Sequence, residues 1–278
     1  MDTWIPLNIL APERLIDARL QLHWAAQIAA TVGYSFIPPE PDWRHVSLSG
    51  YSDASGYMLV SQPVKAHGGF RVGLRLADLT LVLLNEANEI RHAFALTGHT
   101  LDEGYDWLAK VAAPAATMAL MRPDHELPDH RVGKGDAFKF SDREAFALLA
   151  SWYTNATPTL EAFAAAYPAA GAVRCWPHHF DIASLWAWDP EKDPEEGRSI
   201  GVGFVPGDTA YPVPYIYVTP WPYPECSPEA SLKAGHWHTE NWVGAVLRLE
   251  ELGPAAAQGE RVRTFIEQAV AASSNMLS

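Results

Sequence analysis

Between residues 174 and 249 the chain repeatedly alternates apolar and polar positions, and four of its eleven histidines and both cysteines fall in this stretch. It opens with Cys175-Trp176-Pro177-His178-His179-Phe180-Asp181 and closes on His236-Trp237-His238-Thr239-Glu240-Asn241-Trp242. Phe204-Val205-Pro206-Gly207-Asp208 and Pro214-Tyr215-Ile216-Tyr217-Val218-Thr219-Pro220-Trp221 lie between them. A period of two belongs to extended chain, whose side chains point alternately to opposite faces. This part of the chain must therefore build a sheet. Strands are expected at 173–188, 200–205, 214–220 and 237–249, followed by an amphipathic helix at 259–272 with Val262, Phe265, Ile266, Ala269 and Val270 on its buried stripe.

Upstream, Pro12 suits the first turn of a helix, which runs to about Thr31 with Gly33 as its stop. His23 and Gln27 share one face of it. Alternation at 43–49 puts Trp43, His45 and Ser47 opposite Val46 and Leu48, and further strands are expected at 57–62, 70–76, 80–84 and 90–96. Thr100-Leu101-Asp102-Glu103 and Ser141-Asp142-Arg143-Glu144 have the form of capping boxes. The second opens a helix through Trp152, and Thr157-Pro158 starts another. The expected division is an N-terminal half at 1–121, a linker at 122–140 and a C-terminal half at 141–278 carrying the site. Each half reads as helix, about four strands, helix, which suggests an internal duplication. The fold class is α+β, with antiparallel sheets and flanking helices.

The formal net charge of −13 argues against a nucleic-acid backbone or an anionic membrane as partner. Two cysteines, Cys175 and Cys226, make no disulfide framework; one is expected in strand packing and one in a loop. A reducing cytoplasm is the expected compartment, since the N-terminus has no signal-peptide pattern. No G-x-S-x-G elbow, phosphate-binding loop or dinucleotide fingerprint occurs. His125-Glu126-Leu127-Pro128-Asp129-His130 is no metalloprotease motif, because its histidines are five apart and Pro128 would break the helix.

Alternation places His236, His238, Glu240 and Trp242 on one side of their strand, and His179 and Asp181 can join them across neighbouring strands. Imidazoles two residues apart can converge on a divalent metal such as zinc, iron or manganese, which makes His179, His236 and His238 candidate ligands. Asp181 and Glu240 are then the acid/base pair acting on a metal-bound water. Tyr215, Tyr217, Trp221 and Trp242 wall the same cleft. The bland alternative makes the histidines hydrogen-bonding core residues and Asp208, after Pro206-Gly207, a turn residue.

With these motifs the chain resembles a group of bacterial proteins and, more distantly, a larger domain-of-unknown-function family that carries an H-F-F-W-G-S-F-D-L-A stretch. Phe180-Asp181-Ile182-Ala183 matches the F-D-L-A of that stretch, with Ile182 for leucine. Leu22-His23-Trp24 and Gln27-Ile28 resemble the family's opening helix. The resemblance implies a soluble bacterial protein and carries over no catalytic residue. The leading functional expectation is a small-molecule enzyme, with a metal-assisted hydrolase as its expected form. The alternatives are a non-catalytic protein with a Tyr/Trp-lined ligand cleft, or a homodimeric interaction protein.

Overall fold

The computed structural model describes residues 4–65, 69–112, 119–192, 196–224 and 230–278. Its helices are α1 (Pro12–Phe36), α2 (Leu101–Ala112), α3 (Arg143–Ala166) and α4 (Gln258–Leu277). Its strands are β1 (Ser49–Asp53), β2 (Gly56–Val60), β3 (Phe70–Arg75), β4 (Thr80–Asn85), β5 (Ile90–Ala95), β6 (Arg174–Trp176), β7 (Asp181–Ala187), β8 (Ser199–Val205), β9 (Tyr215–Trp221), β10 (His236–His238) and β11 (Gly244–Arg248). They form two antiparallel sheets of five and six strands, and the fold is α+β as expected. The chain divides into two compact units. One is Leu10–Ser151 with Arg174–Phe180; the other is Met1–Ile9, Trp152–Val173 and Asp181–Ser278.

In the unit formed by Leu10–Ser151 and Arg174–Phe180, β1 to β5 make a meander in sequence order, and α1 packs against β3 and α2. α1 is longer than the breakers suggested. Gly33 does not stop it: a Cβ there would lie 2.3 Å from the backbone oxygen of His45, so the glycine permits a close crossing. The helix ends at Phe36, two residues before Pro38, where proline disfavours helical backbone in the residue ahead of it. The strand expected at 43–49 is instead a 3-10 turn, Arg44–Val46, with Trp43 left-handed at φ 57°. The capping box that starts α2 is present in full, with Thr100 N donating to Glu103 Oε2 at 2.7 Å and Glu103 N donating to Thr100 Oγ1 at 3.3 Å.

The helices expected on either side of Thr157 are one continuous helix, α3, with Pro158 inside it. The hydroxyls of Thr157 and Thr159 donate to the carbonyls of Tyr153 and Asn155, bonding back to the turn that proline disturbs. In the unit that contains β7 to β11, those strands lie in the order β10-β11-β9-β8-β7. β11 thus sits between β9 and β10, so the two sheets do not share one strand order. α4 lies across β8, β9 and β11, and Val262, Phe265, Ile266, Ala269 and Val270 are buried as the stripe predicted. Burying five apolar side chains of this size stabilises the packing by several kcal/mol, at about 1.5–3 kcal/mol for each large one. No helix among the described residues is long and apolar enough to cross a membrane.

Candidate functional site

The expected strand 173–188 is two strands, β6 and β7, separated by a turn at 177–180. The carbonyl of Pro177 in that turn accepts from His23 Nε2 and from Gln27 Nε2, both at 2.8 Å, so two side chains one helical turn apart on α1 hold it. His23 also stacks on Phe180, which adopts a left-handed φ of 58°. Burial, the largest influence, drives the His23 pKa down to about 4, so it is a neutral donor here. His178 and His179 are exposed on the turn with ring centroids 4.3 Å apart, and His125 packs edge-on against His178 at 5.9 Å. Partial burial, followed by the charges of His179 and His125, lowers the His178 pKa, although the residue still meets solvent.

A different geometry surrounds the second histidine pair. Gly207 takes a left-handed φ of 106°, and Asp208 follows it. Asp208 Oδ1 accepts from the backbone amides of Ala210 and Tyr211, both at 2.8 Å, while Oδ2 accepts from the Tyr215 hydroxyl at 2.7 Å. One carboxylate thus fixes both the backbone of Tyr211 and the ring against which Tyr211 packs, at a centroid distance of 4.9 Å. Two residues along β9, the Tyr217 hydroxyl donates to Asp181 Oδ2 at 2.9 Å. Gly203 makes that reach feasible, since a Cβ there would lie 2.5 Å from the Tyr217 ring. Burial is the main cause that raises both phenol pKa values, with the nearby carboxylates adding to it.

The Tyr211 hydroxyl lies between two imidazoles, 3.1 Å from His236 Nε2 and 2.8 Å from His238 Nδ1. The far nitrogen of His238, Nε2, is 2.7 Å from the backbone oxygen of Glu240. A carbonyl can only accept, so Nε2 carries the hydrogen and Nδ1 of the neutral ring is an acceptor. Tyr211 must then donate to His238, which leaves its oxygen to accept from His236 Nε2–H. The chain of donors therefore has a single direction: His236 to Tyr211 to His238 to Glu240 O. Behind it, His236 Nδ1 lies 4.0 Å from Glu251 Oε1. Desolvation is the first cause that raises the Tyr211 pKa, so the phenol keeps its proton. These groups border a cleft of about 630 Å³, lined by Ala210, Tyr211 and residues 236–242.

Within one unit the structure brings together some of the residues expected at the site. His236 and His238 do share one side of β10, and Trp242 stacks on His238 at 4.3 Å. β10 ends at His238, so Glu240 is not on the strand face that alternation gave it; it is exposed in the turn where Asn241 has φ 67°. Its backbone oxygen, rather than its carboxylate, meets His238. His179 belongs to the unit that contains α1, whereas His236 and His238 belong to the other. Asp181 is buried against Tyr217 and is not part of the cleft lining, and neither is Tyr215 or Tyr217. Trp221 ends β9, exposed and 5.2 Å from Tyr223. Among the described residues no group of three or more His, Cys, Asp or Glu is placed to hold a metal ion. Cys175 is buried in β6, and Cys226 lies outside the described residues.

Asp208 is a turn residue, as its position after Pro-Gly suggested, and the turn brings forward a residue that alternation did not single out. Tyr211 carried only a weak signal, the three-residue step from Asp208 that an Asx-type turn spans. A family model described as a family of unknown function, DUF5996, matches residues 7–278. The chain belongs to DUF5996. That match runs through both units of the DUF5996 chain and takes in the cleft, and it agrees with the distant resemblance seen in the motifs. No curated protein and no solved structure matches the chain.

Proposed function

We propose that this DUF5996 member is a small-molecule enzyme that works by general acid–base chemistry in the cleft bordered by Tyr211, His236 and His238. The observation that carries the reading is the Tyr211 hydroxyl held between His236 Nε2 and His238 Nδ1, with His238 Nε2 on the Glu240 carbonyl. A water or substrate hydroxyl that donates to the Tyr211 oxygen can lose its proton there while Tyr211 passes its own proton to His238 Nδ1. The resulting imidazolium keeps its Nε2–H on the Glu240 carbonyl, and the Glu240 carboxylate belongs to the same cleft lining. In the reverse sense Tyr211 gives its proton to a leaving group and recovers one from the Nδ1–H of the His238 imidazolium, which returns both groups to their starting state. Hydrolysis of an ester, lactone or amide uses both senses in turn.

The test is a screen of the full chain against small esters, lactones and amides near neutral pH. Turnover is expected, and Tyr211→Phe should reduce it by about 10²–10⁴-fold with an unchanged melting temperature. Turnover that survives Tyr211→Phe would overturn the assignment of the relay. Saturable ligand binding without any turnover would favour the non-catalytic reading, which Trp237 and Trp242 in the lining support.

A further inference from the structure

The cleft also indicates which ligands it can accept, and this step rests on the reading just given. Its lining contains the rings of Tyr211 and Trp242 with His236 and His238 on one side of β10 and Trp237 on the other, and Glu240 is the only Asp, Glu, Lys or Arg among these residues. Arg248, whose charge acts on Tyr211, is already engaged: its guanidinium lies 3.0 Å from Glu250 and 3.0 Å from Glu251. The indole N–H of Trp237 is likewise committed, donating to the Ala230 carbonyl at 2.7 Å. Gly244 leaves room for the Trp242 ring, since a Cβ there would lie 2.5 Å from it, and the ring is held in place by its stack on His238. The lining holds no Lys or Arg with which to bind a phosphate or a carboxylate, both nitrogens of His238 are already engaged by Tyr211 and the Glu240 carbonyl, and such a ligand would instead face Glu240. An ammonium group meets the opposite conditions. The negative faces of aromatic rings and a single carboxylate both attract it, and the low polarity of indole strengthens the attraction.

We infer that the cleft takes a small organic cation, a molecule with an alkylated ammonium group seated against Tyr211 and Trp242 and held by the charge of Glu240. The reacting hydroxyl or acyl group of the same molecule then lies toward the Tyr211 oxygen. Recognition comes from the rings and the carboxylate, while the relay acts on whatever the cation carries.

Isothermal titration of the full chain with choline chloride, beside its uncharged carbon isostere 3,3-dimethyl-1-butanol, tests the inference. Choline is expected to bind about tenfold or more tightly than the isostere, an advantage in the range of a desolvated cation–aromatic contact. Glu240→Gln, a change at an exposed position that should not disturb folding, should weaken choline about tenfold and leave the isostere unaffected. Trp242→Leu should weaken both. Equal binding of choline and the isostere, tighter binding of inorganic phosphate than of choline, or no binding of either probe would overturn the cationic class. Choline binding that Tyr211→Phe leaves intact, in a chain whose turnover does not depend on Tyr211, would sink the acid–base reading and leave this one standing.

Discussion

The chain contains two short histidine motifs that look alike in sequence and are put to different physical use. At His178-His179 the turn is held from behind by His23 and Gln27, both donating to one backbone carbonyl. A carbonyl neither gains nor loses a proton near neutral pH, so that arrangement is a clamp. At His236 and His238 the shared partner is the Tyr211 hydroxyl, which donates and accepts at once. A pair of imidazoles joined through such a group can pass a proton along. What an imidazole is bonded to, more than how histidines are spaced, decides whether it is structural or chemical.

The sharpest way to break this comparison is to remove one ring from each group. His238→Gln should lower turnover by about 10²–10⁴-fold, whereas His178→Gln should leave it within about twofold of the parent. Equal losses in a steady-state assay would erase the distinction. The next effect concerns the clamp. The His23 pKa is lowered from the ordinary value of 6.5 to about 4, so the unfolded chain takes up a proton that the folded chain refuses. The stability held by neutral His23 is complete above about pH 6.5 and is lost as the pH falls toward 4, by roughly 3 kcal/mol in all. Urea titrations at pH 7, 5.5 and 4.5 should show this slope in the parent and a flatter one in His23→Leu. Unchanged slopes would mean that His23 is not the buried neutral group described.

Smaller effects sharpen the other side. Gly203→Ala places a methyl group against the Tyr217 ring and should cost about 1–3 kcal/mol in chemical denaturation. A neutral outcome would show that the ring can leave Asp181 freely. The mildest change is Asp208→Asn, which keeps Oδ1 for the amides of Ala210 and Tyr211 but offers an NH2 where the Tyr215 hydroxyl now donates. About 1 kcal/mol of stability should be lost, with a shift in the pH profile of turnover because Tyr211 is less firmly placed. Loss of stability with an unaltered profile would make Asp208 a purely structural turn residue.

Local signals in the chain were legible where one segment decides its own state. The Thr100–Glu103 capping box and the buried stripe of α4 involve residues three or four apart, and both formed as expected. Local patterns mislead where distant atoms intervene. Gly33 looked like a stop because glycine often ends helices, but it serves a crossing with His45, whose approach no local pattern reveals. Pro158 looked like a start because the hydroxyls that support it inside α3 are equally good caps. Continuous alternation from 237 to 249 hid the turn at Asn241, so Glu240 was put on a strand face it does not occupy.

The sequence by itself determined the α+β class, the antiparallel strands, the amphipathic helices and the turn at Asp208, because periodicity and turn chemistry are properties of neighbouring residues. Only the tertiary structure decided that Tyr211 meets His236 and His238 and that Asp181 and Tyr217 close on each other. Those meetings depend on strand order and register, with β11 placed between β9 and β10, and hydrogen bonds form only when atoms approach within about 3 Å. A pattern along the chain sets which face a side chain occupies, but the packing of the sheet sets what that face meets.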